Sequence, residues 1–499
     1  MIWDRRLEAT GYAGKGGPVA RIWATGRRLL DGATSDGSRH RSLWLKEMPD
    51  IADVAPALRG ATRADVAIIG GGFVGLWTAI RIKQWDPSCD VVVLEQDICG
   101  GGASGRNGGF VLSWWPKVST LVKLCGEDEA LRLARASESA VGEIEAFCAE
   151  HGIDAHYRRG GFLWTATAPA HIGAWEGVVR LCERLGVEAF QRLSPEEVAR
   201  RSGSPAHLAG VFEPGAATVQ PAALVRGLRR VARELGVRIH EQSRVIGFTR
   251  SYPVAVRTDG GLVAAEKLVI AMNAWAAGLR ELHRALVVVS SDIVATPAIP
   301  DRLQRIGWTG GECIADSQMM VDYYRTTRDG RIAFGKGGWG IALAGFIGPS
   351  FDRHPRRAES VVADFRRYYP MLADVPIVDD WSGPIDRSTD GVPIFGHLGR
   401  SENILYGVGW SGNGVGPSVL GGKILASLAL GLDNEWSRTP LIDHAHPAFP
   451  PEPVRFLGAH LVREAVIRKE RAEAEGKQPH PLATGLSRLA PAGLEDKEP

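Results

Sequence analysis

Gly70-Gly71-Gly72-Phe73-Val74-Gly75 is a G-x-G-x-x-G run. The apolar stretch Val66 to Ile69 leads into it, and Glu95 closes the next apolar stretch, Val91 to Leu94. An acid about 20 residues beyond such a run is the spacing of a dinucleotide site. Gly70 permits a tight turn, Gly72 lets the backbone approach a pyrophosphate, and Gly75 lets a helix pack closely on a strand. A helix beginning here offers unsatisfied N–H groups and positive potential to phosphate. Glu95 accepts from ribose hydroxyls and repels a 2′-phosphate, so the pattern favours a dinucleotide without one.

The elements that hold these residues follow from periodicity. The strand Val66 to Ile69, a helix from about Val74 to Gln84, and the strand Val91 to Leu94 make a βαβ unit. Its uninterrupted apolar strands suit a parallel sheet covered on both faces, an α/β arrangement. A second glycine run, GGASGRNGG (Gly101 to Gly109), follows at once. Glycine loses the most backbone freedom on ordering, so a run this dense implies a ligand lying against the main chain. A simple nicotinamide dehydrogenase has no use for it here. A dinucleotide with a flat ring beyond its pyrophosphate does, which points to FAD, with Ser104 and Asn107 as polar contacts and Arg106 offered to phosphate or to a neighbouring carboxylate.

Further helices are expected over EDEALRLARASESAVGEIEAFCAEHG, after the capping box Ser194-Pro195-Glu196-Glu197, and over PAALVRGLRRVARELG. The strands GVRIH, RVIGF, VAVRT and KLVIAMN come next, then a hairpin in YYRTTRDGRIAFGKGG around Asp329-Gly330. A third glycine-rich stretch, LYGVGWSGNGVGPSVLGGKILASLALG, precedes a helix through Lys423 and Ala426. RSLWL (Arg41 to Leu45) stands out as a docking element in an otherwise basic, Gly-rich extension. The tail from Pro450 carries an amphipathic helix whose interleaved charges suit docking on the protein's own surface more than on a membrane.

Composition excludes several classes. The 499 residues carry 59 basic and 57 acidic side chains, a net charge of +2, which argues against a molecule-wide nucleic-acid field. The six cysteines contain no C-x-x-C pair and no zinc-ligand spacing, so no metal site is expected and the thiols read as reduced. The N-terminus lacks an apolar signal core and no segment approaches 18 uninterrupted apolar residues, so the reading is cytoplasmic, without a transmembrane segment.

DVAIIGGGFVGLWTAI, VVVLEQDICGGGASGRNGG, LVIAMNAW and WSGPIDRSTDGVPIFG…LYGVGWSGNGVGPSVLGGKILA together resemble the D-amino-acid-oxidase-like family of FAD-dependent amine and amino-acid oxidoreductases. The likeness runs from roughly Ser42 to Gly431. GASGRNGG is similar to the gamma-glutamylputrescine oxidase branch; RSLWL, GLWTAIRIKQ and ASESAVGEIEAFC resemble aminophosphonate oxidoreductases. The resemblance implies a Rossmann-like FAD-binding domain and a discontinuous antiparallel-sheet substrate domain of α+β character. The expected division is an extension (1–60), the FAD domain (61–115, 205–285 and 376–435), the substrate domain (116–204 and 286–375) and a tail (436–499). Cofactor contacts are then expected from Gly70, Gly72, Phe73, Val74, Gly75, Glu95, Ala103, Ser104, Arg106, Asn107, Gly108, Gly109, Val245, Asn273, Trp275, Gly412, Asn413, Gly414 and Val415. Val245 would hold adenine through its backbone, and the Gly412 to Val415 stretch would present N–H groups and a helix N-terminus to the reduced ring. The histidine and cysteine through which some relatives bind flavin covalently are missing, so FAD is expected to be non-covalent.

The resemblance implies dehydrogenation of a small amine or amino-acid-like substrate to an imine, with oxygen as acceptor and an aminophosphonate or a polyamine-derived amine as substrate. An amine dehydrogenase passing electrons to another acceptor and an FAD-dependent nucleic-acid-modifying enzyme are the alternatives. The arginine that clamps carboxylates in glycine-oxidising relatives is replaced at the corresponding place by Ile385. Asp386 then becomes an attractor for substrate ammonium, or an acid ordering a turn. Arg325, Arg331, Arg159 and Arg387 are the candidate anion ligands, Tyr323 and Tyr324 the candidate pocket aromatics, and Lys336 a candidate promoter of reaction with oxygen. His397 reads as structural.

Overall fold

The first strand, Gly60–Ile69, turns from half-exposed to continuously buried along its length. It can do so because it is central: it pairs in parallel with Val91–Leu94 on one side and Gly261–Ile270 on the other. Arg238–His240 and Ile404–Val408 extend the parallel sheet outward, and Ile394–His397 adds an antiparallel edge. Val245–Phe248 and Val254–Thr258 form an antiparallel flap on Gly261–Ile270. The computed structural model describes residues 39–399 and 401–491, and a compact unit begins at Arg41.

Helices Phe73–Trp85, Pro221–Glu234 and Ser418–Leu430 accompany this sheet. Two of them touch backbone to side chain, since a Cβ on Gly422 would stand 2.6 Å from the Cβ of Trp77. Pro221 stands at the start of its helix, and Gln220 caps it by accepting from the Ala223 N–H, which satisfies a donor the helix itself cannot. Ser194 does the same for Pro195–Ser202.

A second sheet of eight strands runs Asp379–Arg387, Val287–Ala295, Ile332–Ile341, Asp322–Thr326, Cys313–Asp316, Phe162–Ala166, Ala209–Glu213, Gln191–Leu193. Its pairs are antiparallel except Cys313–Asp316 with Phe162–Ala166. Gly330, at φ +83°, turns the expected hairpin between Asp322–Thr326 and Ile332–Ile341. The helix Pro355–Tyr368 packs on this sheet, while the long helix Glu127–Glu150 lies against Phe73–Trp85 and Ser418–Leu430, with Phe147 on Trp77 and Glu143 pairing with Arg81 and Lys423. The tail helix Val454–Ala474 sends Glu470 to the Met320 N–H and Glu473 to His171. Among the described residues no helix is long and apolar enough to cross a membrane.

Candidate cofactor and active site

The first glycine turn is built as its spacing demands. Gly70 sits at φ +114°, where a Cβ would lie 2.4 Å from the Ala271 carbonyl oxygen, and a Cβ on Gly75 would lie 2.0 Å from that of Gly70. The helix Phe73–Trp85 therefore starts directly over the end of the strand. Phe73 itself turns into the core and Val74 packs beside it. The Glu95 carboxylate accepts from the N–H groups of Gly71 (2.8 Å) and Asp97 (2.9 Å), at the end of the strand where a ribose would rest. Ser104 brings the second run to the first, its hydroxyl accepting from the Phe73 N–H at 2.9 Å. The segment leading to Val245 closes the same end, with Gln242 and Ser243 donating to the carbonyls of Asp97 and Glu95.

The polar residues of GGASGRNGG face inward. The Asn107 amide donates to the Ala103 and Ser104 carbonyls and accepts from the Gly109 N–H, so it folds the loop from inside. Arg106 is buried, donates to the Gly101 and Ser382 carbonyls, and meets the Asp352 carboxylate at 3.5 Å. Of the two partners expected for Arg106, phosphate or carboxylate, the structure supplies the carboxylate. The ligand-facing surface is thus left to backbone. Gly108 packs on the Tyr323 ring, and the Trp275 ring lies 3.4 Å from where a Cβ on Gly102 would stand.

The third run reaches the same place from the far side. A Cβ on Gly416 would stand 2.5 Å from the Leu112 carbonyl oxygen, and Asn413 donates to the Ser113 carbonyl at 3.0 Å. Gly412 takes φ +93°, Gly414 packs on Trp410, and Val415 is buried ahead of the helix Ser418–Leu430. Asp386 holds this loop. Its carboxylate accepts from the N–H groups of Gly409 (2.6 Å) and Trp410 (3.1 Å) and from the Asn273 amide (2.9 Å), and burial pushes its pKa up to about 7. Asn273, at φ +46°, leaves its own buried Oδ1 without a hydrogen-bond partner among the described residues. Three glycine runs, a helix N-terminus, an acid at the strand end and the orphaned buried Oδ1 of Asn273 fit FAD; Gly70 to Gly75, Glu95 and Ser104 could hold its dinucleotide, and Asn273 and Gly412 to Gly414 its ring.

Strand parity decides which substrate-side candidates reach this cradle, because successive side chains point to opposite faces. Tyr323 and Gly335 are register partners, as are Arg325 and Ala333; Tyr324 pairs with Phe334 and Asp322 with Lys336. Tyr323 touches Gly108, so its face looks at the cradle, and the face of Tyr324 and Lys336 looks away. This corrects two expectations. Tyr324 is enclosed among Phe334, Trp308 and Tyr369, with its hydroxyl against His207. Lys336 lies behind the sheet, paired with Asp322 (2.9 Å) and Asp364 (3.1 Å), and cannot face the cofactor. Arg325 is on the cradle side but 4% exposed; it donates to the Gly108 and Val219 carbonyls, which makes it a brace of the loop rather than a ligand for substrate. Asp386 is corrected too: it is buried, and both its oxygens accept from the Gly409–Trp410 turn or from Asn273, so it orders the turn rather than facing a substrate ammonium.

Ile385, Gly383 and Arg387 alternate onto the cradle face of the strand Asp379–Arg387, since Ile385 approaches Gly412 and Gly383 approaches Arg106. Arg387 is half-buried there, and burial lowers its pKa to about 10. Arg331 pairs with Asp329, Arg159 with Glu145 and His397 with Asp443, none of which belongs to the cradle loops. Two groups beside the site carry no motif and escape a reading of the sequence. Ser291 shares a hydrogen with the Tyr323 hydroxyl at 2.5 Å, and buried Glu213 accepts from Ser113, next to the carbonyl that Asn413 holds.

Such an arrangement defines a flavoprotein in which a dinucleotide-binding sheet and an antiparallel substrate sheet meet at glycine-built loops. A family model described as FAD dependent oxidoreductase (DAO) matches residues 65–428, and the chain belongs to that family; FAD is its cofactor. "Probable oxidoreductase OrdL" of Rhizobium meliloti (strain 1021) is 30% identical over 403 residues, 79% of this chain and 89% of that protein. The gamma-glutamylputrescine oxidoreductase of Escherichia coli (strain K12) is 29% identical over 378 residues, 75% of this chain and 85% of that one. Among solved structures, glycine oxidase from Geobacillus kaustophilus superposes with a TM-score of 0.64 at 22% identity, over 77% of this chain and 99% of that one, a likeness of fold.

Proposed function

We propose that this enzyme dehydrogenates a primary or secondary amine that also carries an anionic group, with aminophosphonates as the leading class and oxygen as acceptor. The carrying observation is Arg387, a half-buried cation on the cradle face of its strand. A guanidinium held there suits a phosphonate or carboxylate, which it can meet with two parallel hydrogen bonds. FAD held in this cradle would supply the two-electron oxidation: a hydride would leave the carbon bearing nitrogen, the nitrogen would lose its proton to solvent, and water would convert the resulting imine to a carbonyl compound and the free amine or ammonia. The chain's own part is positional: Asp386 fixes the Gly409–Trp410 turn, Tyr323 and Ser291 line the cradle side, and Arg387 holds the anion away from the reacting carbon.

The relative that acts on gamma-glutamylputrescine supports an amine substrate. A bare polyamine is less suited, because Asp386, the acid that would attract its second ammonium, is spent on the loop. We also assign 61–115, 205–285 and 376–435 to cofactor binding and 116–204 and 286–375 to substrate binding, except that the strands Ala209–Glu213 and Asp379–Arg387 pair into the second sheet and so go with the substrate side.

Anaerobic titration of the flavin absorbance with 2-aminoethylphosphonate, glycine, gamma-glutamylputrescine and putrescine tests the reading. Bleaching by 2-aminoethylphosphonate is expected, with Arg387→Ala raising the half-bleaching concentration about 100-fold for loss of a charge-assisted pair. Bleaching by putrescine alone, unmoved by that substitution, would overturn it. Admitting air to the reduced protein tests the acceptor: recovery within seconds supports oxygen, and recovery over many minutes points to a carrier.

A further inference from the structure

The family match begins at residue 65, yet the segment before it touches the second glycine run and its approach at Asp97, Gly105 and Asn107. Arg41 pairs with Asp97 through two hydrogen bonds of 2.5 and 2.8 Å, beside the acid at the ribose end. Ser42 donates its hydroxyl to the Gly105 carbonyl at 2.5 Å and caps the short helix Leu43–Lys46 by accepting from the Leu45 N–H. The Trp44 indole donates to the Asn107 carbonyl at 2.9 Å, and its ring lies under the Arg325 guanidinium (5.0 Å) and edge-on to Trp381 (5.5 Å). Further on, Ala55 and Cys99 both donate to one buried carboxylate, Glu241, and Leu58 donates to Ser243.

We propose that Arg41 to Leu45 is a cofactor latch, in which Ser42 and Trp44 position the GASGRNGG loop for FAD from behind. The physical reason lies in the peptide plane. In a trans peptide the C=O and N–H point to opposite sides. Trp44 holds the Asn107 carbonyl on the outer side of the loop, which turns the Gly108 N–H toward the cradle, while Arg325 restrains the Gly108 carbonyl through its Nε at 2.6 Å. Ser42 fixes the Gly105 carbonyl, and the Arg106 N–H of that peptide turns back to the Ala103 carbonyl, which holds the tight turn of the loop. Glycine supplies no side chain to define these planes, so the definition comes from outside the loop. Neither residue touches the ligand; both are positioning residues. Trp44 also contacts Arg325 and Trp381 of the substrate sheet, so the same side chain ties the cofactor loop to the sheet that faces it.

The test uses holoprotein diluted below its Kd for FAD, with release followed by the rise in flavin fluorescence. Ser42→Ala and Trp44→Phe are compared with Lys46→Ala, which removes the exposed Lys46–Asp379 pair of the same helix and no loop contact. Expected is FAD release about tenfold faster in both latch variants, the scale of one buried hydrogen bond, with a shifted visible flavin band. Ser42→Thr, which keeps the hydroxyl, restores the parent rate. Release within twofold of the parent in Ser42→Ala overturns the proposal. So does release that tracks apoprotein melting temperature equally in all variants, Lys46→Ala included, since that reports general stability. Should Trp44→Phe fail to fold, the Ser42→Ala and Ser42→Thr pair decides.

Discussion

Glu213 ends the strand Ala209–Glu213 with its carboxyl enclosed, one oxygen accepting from Ser113 at 2.6 Å and the other without a partner among the described residues. Burial, with the Glu138 carboxylate nearby, pushes its pKa up to about 7. The folded protein therefore holds this proton more tightly than the unfolded chain does. Its contribution to stability is complete below the ordinary carboxyl range near pH 4.5 and falls away as pH rises toward 7, by up to about 3 kcal/mol for a shift of this size. Glu213→Gln keeps an acceptor for Ser113 and removes the titration. Urea midpoints measured at pH 5.5 and 8 should separate widely for the parent and draw together for the variant. Equal separation in both would mean that Glu213 ionises without cost, and that the enclosure around it is wetter than the packing indicates.

At the scale of elements, the two faces of the central substrate strands give opposite expectations for neighbouring tyrosines. Tyr323 shares its hydroxyl proton with Ser291 on the cradle side, and Tyr324 meets His207 behind the sheet. Tyr323→Phe is expected to change kcat/KM about tenfold, as loss of a hydrogen bond in the site would. Tyr324→Phe should leave kcat/KM within twofold and cost about 1 kcal/mol of stability. Reversed results would place the substrate on the other face. This is also where reading the sequence runs out. The glycine turn at Gly70 to Gly75, Glu95, the Ser194 cap and the Gly330 hairpin are legible because each is settled by neighbours a few residues away. The face of Asp322–Thr326 is not legible: the strand is covered on both sides, so no polar–apolar alternation marks which side meets the cofactor. Lys336 reads as a charge near the flavin for the same reason, although Asp322 and Asp364, which hold it behind the sheet, come from elsewhere in the chain. Arg106 reads as a ligand contact because its type suits the task; its inward direction depends on Ser382 and Asp352, far away in sequence, whereas Asn107 turns inward onto its neighbours Ala103, Ser104 and Gly109.

For the whole molecule, the chain beyond the family match runs from the turn that follows Arg387 to the far side of the substrate sheet. His444 meets Asp390 at 3.3 Å, and Asp390 accepts from the Val392 N–H and from Ser388, the residue after Arg387. Arg455 donates to the His283 and Leu286 carbonyls while pairing with Glu452, and Glu452 accepts from the Ala344 N–H. Arg463 then reaches the Trp339 carbonyl, Glu470 the Met320 N–H and Glu473 His171. Two of those carboxylates are buried, so the helix Val454–Ala474 docks by charge as well as by Ala465 and Val466. Ending the chain after residue 450 removes every contact from Glu452 onward and keeps His444. It removes the acceptors Glu452 and Glu470 and the donors Arg455 and Arg463, and leaves the Met320 N–H, the His171 ring and the His283, Leu286 and Trp339 carbonyls to water. It leaves the hydrogen bonds of the cradle loops in place. A chain ended there should melt roughly 5–10 °C lower, as loss of several buried polar contacts implies, yet keep a full complement of FAD. Loss of FAD at unchanged melting temperature would show instead that the tail acts on the cofactor, and would move the origin of cofactor retention from the latch at Arg41 to Leu45 to the opposite end of the chain.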